Sequence, residues 1–351
     1  MNCIRQVNIS IVIWRADSES TAALSIISSA STGKKYHPRV QKKRTIRVIK
    51  GVYTMGRLNT ISVIGENIRK RREHYRLSLE EAADGLQMPA DLLSMYECGK
   101  IAPNFNDLYF RLSKFYNVPM YYFFDPSADP DTPHFSEIAG IVDSLPQEIP
   151  RKPLIETIEK AGRHMIHLNE VIPSGSLMTI SESCLLTALF RYEKECGLSL
   201  RTASECCDRK RFNCLRETLY DYGIYVVGDP FKSLSRRVTG IVLYDDLYPV
   251  IFYNTKNDFL TQASVILSGI CSIINRRHSI FILSKDPDTK VPWFYDGNFY
   301  HVIVERLGRK YLKDAFEAYS FGRLSLEQLT GVVGCSARHL HLISSVVHKE
   351  E

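Results

Sequence analysis

Four groups of side chains in this sequence have types and spacings that could do chemistry. Cys196, Cys206, Cys207 and Cys214 crowd one stretch, and thiolates are ligands of structural zinc. Their gaps of nine, none and six residues do not form paired C-x-x-C knuckles, so small buried side chains are the expected role. His164 and His167 stand three apart on a predicted helix, and His339 and His341 lie near the end. No carboxylate joins either pair at metal-ligand spacing, so these histidines read as satisfied or surface groups. Arg69, Lys70 and Arg72 share the polar face of a predicted helix, where guanidinium and ammonium groups could meet phosphate. Ser78 and Glu81, three apart, form the fourth group, and their chemistry is that of a helix cap. No catalytic residue, metal ligand or cofactor site is assigned.

Charge supports a nucleic-acid reading only in part. The 45 Lys/Arg and 39 Asp/Glu give a net charge of +6, but its position matters more than its sum. Residues 1–60 hold 11 basic against 2 acidic side chains, while residues 61–124 hold 8 of each. The first 60 residues contain a Ser-rich run from Ser18 to Ser31 and a basic run from Lys34 to Lys50, with no helical or strand period. They read as a disordered basic extension that tracks phosphates, or as upstream sequence that is not translated, with Met55 as the start. The second reading is the expectation, since Met55 lies just ahead of the first periodic helix. The apolar piece Val7–Trp14 is too short for a secretory h-region. Phe259–Asn275, a long uncharged run, is broken by Thr261, Gln262, Ser264, Ser268 and Ser272, so no membrane span is expected. Nine cysteines without a signal peptide read as reduced thiols in the cytoplasm.

The elements around Ser78 form a series of short helices. A first helix is predicted from Ile64 to His74, with Ile64 and Ile68 inward. Ser78 and Glu81 then cap a second, whose inward stripe of Leu79, Ala82, Ala83 and Leu86 is small enough to let another helix cross closely. Pro89 suits the first turn of a third helix, which runs to Glu97 and stops near Gly99. Asn104 caps a fourth with Phe105, Leu108, Leu112 and Phe115 inward, and Val118–Pro119 opens a last aromatic turn, Met120–Phe124.

This segment, about residues 61–124, resembles the Xre/lambda-repressor family of helix-turn-helix transcriptional regulators. The resemblance rests on Ile64-Gly65-x-x-Ile68-Arg69-x-x-Arg72, Leu77-Ser78-x-Glu80-Glu81, Glu97-x-Gly99-Lys100 and Tyr116-Asn117-Val118-Pro119. It implies a five-helix all-α domain whose third helix lies in the major groove of double-stranded DNA. By position it would place Pro89, Ala90, Asp91, Ser94 and Met95 at or beside the bases. Ser78, Leu79 and Lys100 would approach the phosphate backbone, with Arg72 as a further phosphate contact. The sequence departs from the family at Leu79 (usually Gln), at Gln87 (a turn position favouring Gly) and at Pro89 (usually Ser). The reading face also lacks Arg, Asn or Gln, the residues that make bidentate contacts to bases.

A Pro/Asp-rich linker at 125–135 separates this domain from a mixed α+β C-terminal region, 136–351. Helices are predicted over 136–170, broken at Leu145–Pro153, and again over 180–222. Strands follow at Gly223–Val227, Thr239–Tyr244 and Val250–Tyr253, then a helix at Leu260–Ile274 and a strand at Ser279–Ser284. This order weakly resembles a degenerate ImmA/IrrE-type metallopeptidase-like domain, whose helix carries H-E-x-x-H. Ser264, Val265 and Ser268 occupy those positions here, so hydrolysis is not expected. Leu324-Ser325-Leu326-Glu327-Gln328 echoes Leu77–Glu81 at an offset of 247, with Gly334 and Ser336 aligned on Gln87 and Pro89. The echo reads either as a second helix-turn-helix or, as expected from the few residues left, as a helical hairpin packed on the C-terminal region.

The expectation is therefore a multi-domain transcriptional regulator that binds DNA as a homodimer through residues 61–124. Its C-terminal region would be non-catalytic, serving dimerisation or the sensing of a signal that the sequence does not name. The alternative is a protein-interaction module, of immunity or antitoxin type, with a vestigial helix-turn-helix. A zinc peptidase is the third and weakest reading.

Overall fold

A computed structural model describes residues 57–103, 108–129, 135–172, 182–196, 209–284 and 299–348. The predicted basic extension therefore lies outside the described residues up to position 56, as do Asn104, Phe105 and residues 130–134 of the linker. Cys206 and Cys207 also fall outside them. The described chain is mostly helical, with thirteen α-helices among those residues and one mixed four-stranded sheet in the C-terminal part.

The first elements are α1 (Arg57–His74), α2 (Leu79–Gly85), α3 (Ala90–Glu97), α4 (Leu108–Tyr116) and a 3-10 turn, Met120–Phe124. Helix α1 begins seven residues before the predicted Ile64, because nothing between Arg57 and Ile64 breaks a helix. The turns between these helices close through left-handed residues: Arg76, Gln87, Gly99 and Asn117 have φ of 56°, 53°, 64° and 50°. Gly99 takes this conformation freely and Asn tolerates it, whereas Arg76 and Gln87 hold it against Cβ sterics. Ile64, Ile68, Ala82, Ala83, Leu86, Leu93, Leu108, Leu112 and Phe123 fill the core between these helices.

Two further helices, α5 (Phe135–Ser144) and α6 (Arg151–Val171), flank the predicted Pro-rich break. They are followed by α7 (Glu182–Cys196) and α8 (Arg209–Asp221). The sheet is built from β1 (Tyr225–Asp229), β2 (Val238–Leu243), β3 (Val250–Asn254) and β4 (Ser279–Ile282), with α9 (Phe259–Ile274) between the last two. Its order is β1-β3-β2-β4: β1 runs parallel to β3, with Tyr225 opposite Val250, while β2 is antiparallel to β3 and β4.

Strands β1, β2 and β3 are buried along their whole length, which is why they read as continuous apolar runs. Alternation sorts their side chains into two cores. Tyr225, Val227, Ile241, Leu243, Val250 and Phe252 join the core that holds α1–α6, whereas Val226, Val242, Ile251 and Tyr253 face that of α8 and α9.

The chain closes with α10 (Phe299–Leu307), α11 (Arg309–Ser320), α12 (Leu326–Val333), a 3-10 turn at Ala337–His339 and α13 (Leu340–His348). The sequence echo is structural as well. Ser325 caps α12 through a capping box with Gln328, as Ser78 caps α2 with Glu81, and Gly334 is left-handed where Gln87 is. Leu329, Val332, Leu340, Ile343 and Val347 are buried in the first core, so one face of this unit packs on the body.

Candidate nucleic-acid interface

The candidate interface is the α2–turn–α3 unit and the residues that hold it. At its entrance Ser78 Oγ accepts from the Glu81 N–H at 3.1 Å, and Glu81 Oε2 accepts from the Ser78 N–H at 2.8 Å. This reciprocal cap satisfies two of the free amides at the start of α2. The 3-10 turn is held from α1, where buried Asn67 donates to the carbonyl oxygens of Tyr122 and Asp125 at 3.1 and 2.8 Å.

Two features fix α3 against α1. Gly65 leaves no gap at the crossing: a Cβ there would lie 2.4 Å from the Tyr96 carbonyl oxygen and 2.7 Å from that of Glu97. The Arg72 guanidinium forks onto Glu97, Nε to Oε1 at 2.8 Å and Nη2 to Oε2 at 2.9 Å, while Nη1 donates to the Leu77 carbonyl at 3.1 Å. One side chain thus ties together the end of α1, the entry to α2 and the end of α3. The hydrogen bonds that Arg72 donates to Glu97 raise its already high pKa, so the fork stays charged.

Of the nine residues expected at DNA, Ser78, Pro89, Asp91 and Lys100 are exposed. Leu79, Ala90, Ser94 and Met95 are half-buried, with Leu79 and Ala90 resting against the core. Pro89, Ala90, Asp91 and Ser94 lie together at the start of α3, and Lys100 follows its C-terminal end. Arg72 is turned inward onto Glu97 instead, and in this arrangement its part is positional. Asp91 is the acidic group in the first turn of α3, which complements the helix dipole but opposes phosphate.

Sequence reading did not anticipate a buried polar cluster that joins α1 to α6. Glu159 of α6 is 1% exposed and receives Arg71 at 2.7 Å, His74 at 3.0 Å and the Tyr75 hydroxyl at 3.3 Å. Burial alone would raise its pKa; the His74 hydrogen bond and the Arg71 charge outweigh that and hold the carboxyl below the ordinary glutamate value. Arg71 also donates to the Tyr75 hydroxyl, and both groups reach the Tyr116 carbonyl. The sequence signal was slight, since Arg71 sits in a run of four basic residues and Glu159 lies 88 positions away.

The metallopeptidase-like positions form no site. Ser264 and Ser268 are exposed on α9, with the Ser264 hydroxyl donating to Leu260, and Val265 packs on the sheet against Gly240. His164 is buried between Tyr225 and Phe252, and burial followed by the Lys160 charge pushes its pKa down to about 3, so it is neutral. His167 meets Glu170, and His339 meets the Tyr300 hydroxyl. Among the described residues there is no group of three or more His, Cys, Asp or Glu placed to hold a metal ion. No helix among them is long and apolar enough to cross a membrane. Comparison of the chain with protein-family models, with curated proteins and with solved structures finds no match.

Proposed function

We propose that residues 61–124 form a five-helix, helix-turn-helix domain of the Xre/lambda-repressor type, and that the chain is a cytoplasmic, homodimeric transcriptional regulator. The observation that carries this reading is the clamp at the α1–α3 crossing. Gly65 and the Arg72–Glu97 fork hold α3 rigidly while Pro89, Asp91 and Lys100 stay in solvent at its two ends. A rigid, outward helix preceded by a capped helix is the arrangement that places side chains in a major groove. Lys100 and the Ser78 end of α2 supply backbone contacts, and two copies would pair half-sites about 34 Å apart. The α+β region would supply dimerisation or regulation rather than catalysis.

A second reading, a protein-interaction module, draws on one observation. Phe110, Met120 and Tyr121 are 61%, 51% and 72% exposed on α4 and the 3-10 turn, while α3 itself offers little to bases. Fluorescence anisotropy of residues 55–351 against duplex from upstream of its own gene, with random duplex as competitor across a salt series, separates the two. Binding that survives competitor at near-physiological salt supports the regulator. Binding lost to competitor or salt leaves charge attraction alone and favours the interaction module.

A further inference from the structure

The junction between α8, α10 and α11 carries a second site. Here a cleft of about 950 Å³ is lined by Arg209, Lys210, Arg216, His301, Glu305 and Arg309, among others. Its floor is unusual, because Arg216 is 5% exposed. One of its amino groups donates to the Tyr253 hydroxyl at 3.2 Å and to the Glu305 carbonyl. Its Nε is buried with no hydrogen-bond partner, and among the described residues no carboxylate pairs with the guanidinium. The Glu305 carboxylate is engaged by Arg209 at the rim, and Glu217, next to Arg216 in the chain, also lines the cleft. A buried cation without a counter-ion is costly, and neutral acceptors offset only part of that cost.

A second feature adds to the same local field. Helix α11, twelve residues long, starts beside Arg216, with Gly308 at its N-cap at a φ of 91°. A Cβ on Gly308 would lie 3.6 Å from Arg216 Nη2. No side chain caps α11, and its first turn holds Arg309 and Lys310 with no acidic residue, the reverse of what a helix dipole favours. Lys310 turns out to Asp221, while Arg309, whose guanidinium donates to the Val347 carbonyl at 3.3 Å, lines the cleft with Arg216. The unpaired guanidinium, the uncapped amides and the basic rim all complement negative charge, and the described lining holds more basic than acidic side chains.

We infer that this cleft binds a small oxyanion, carried as a phosphate or carboxylate group on a small molecule, with Arg216 as its buried counter-ion. Lys210 at the rim adds charge, and the α11 amides add donors. This site lies in the α+β region and stands apart from the DNA reading, since occupancy is measured without DNA.

The test is calorimetry and thermal unfolding of the full chain with inorganic phosphate or succinate, each against chloride at equal ionic strength. One of the two anions is expected to bind saturably and to raise the melting temperature with concentration; which one does so assigns the carrier group. Arg216→Met should weaken that binding by about tenfold or more, as loss of a charge-assisted contact does. Lys210→Ala, on an exposed side chain, should weaken it by roughly threefold with the fold intact. If Arg216→Met fails to fold, Lys210→Ala and the wild-type titrations decide. No difference from chloride for either anion overturns the inference, as does binding that neither substitution alters.

Discussion

Gly65→Ala sets two effects of opposite sign against each other, and the structure determines which wins. In an exposed helix interior, alanine for glycine stabilises by about 1 kcal/mol through backbone entropy. At Gly65 the new methyl would sit 2.4 Å from one carbonyl oxygen of α3 and 2.7 Å from the next. Ordinary contact requires roughly 1 Å more, and both obstacles are backbone, so the helices themselves must separate. Overpacking of this kind costs about 1–3 kcal/mol. Separation also strains the Arg72–Glu97 fork, whose two bonds of 2.8 and 2.9 Å cross the same interface. A net destabilisation of about 1 kcal/mol, and at most about 2, is expected after the propensity gain is subtracted. The assay is urea unfolding followed by circular dichroism, with Gly140→Ala as the control. Gly140 is an exposed glycine of α5 with nothing within 4 Å of its Cβ position, so alanine there should stabilise by about 0.5–1 kcal/mol. If Gly65→Ala stabilises as much as Gly140→Ala, the close α1–α3 crossing is wrong, and with it the clamp on which the DNA reading depends.

Gln87→Gly removes a Cβ from a residue at φ 53° and should stabilise by about 0.5–1 kcal/mol, read as a higher urea midpoint; a lower one would mean that the turn is not left-handed. Glu159→Gln leaves Arg71 buried without its counter-charge and should cost about 3 kcal/mol or more by the same measurement. Because the folded pKa of Glu159 is depressed, its contribution is complete above the unfolded glutamate value and fades as pH falls through the folded one. Glu159→Gln should therefore flatten the acid side of the stability profile, and an unaltered profile would discount the cluster. Lys100→Ala should leave stability within about 0.5 kcal/mol and weaken DNA binding uniformly, lowering the salt slope by about 1. Arg72→Ala should instead lower stability along with any DNA affinity, since its guanidinium is held by Glu97 and the Leu77 carbonyl. A stable variant with only a smaller salt slope would show that Arg72 meets phosphate.

Much of the local structure was legible in the sequence because its causes are local. Ser78 and Glu81 form the cap their spacing predicts, and Pro89 stands at the N-cap of α3, one position ahead of the first turn expected for it, where its missing N–H is harmless. The strands around Val226, Ile241 and Ile251 follow from apolar runs bounded by turns. Even the second capping box at Ser325 could be read from its likeness to the first. Contacts between elements had no such signal. Arg72 read as a solvent-facing cation because helical periodicity gives the face of a side chain and not the partner waiting there; only packing brought Glu97 to it. Glu159 was one carboxylate among many until α6 carried it beneath Arg71 and His74. Arg216 was an ordinary basic residue of α8 until α10 and α11 closed over it and left its charge without a partner. Sequence by itself thus determined where most helices and strands lie, through caps, turns and periodicity, although α1 starts seven residues ahead of the predicted Ile64 where no cap marks its beginning. Tertiary structure decided which charges are buried, paired or left over, because burial and pairing depend on groups brought together from positions tens of residues apart.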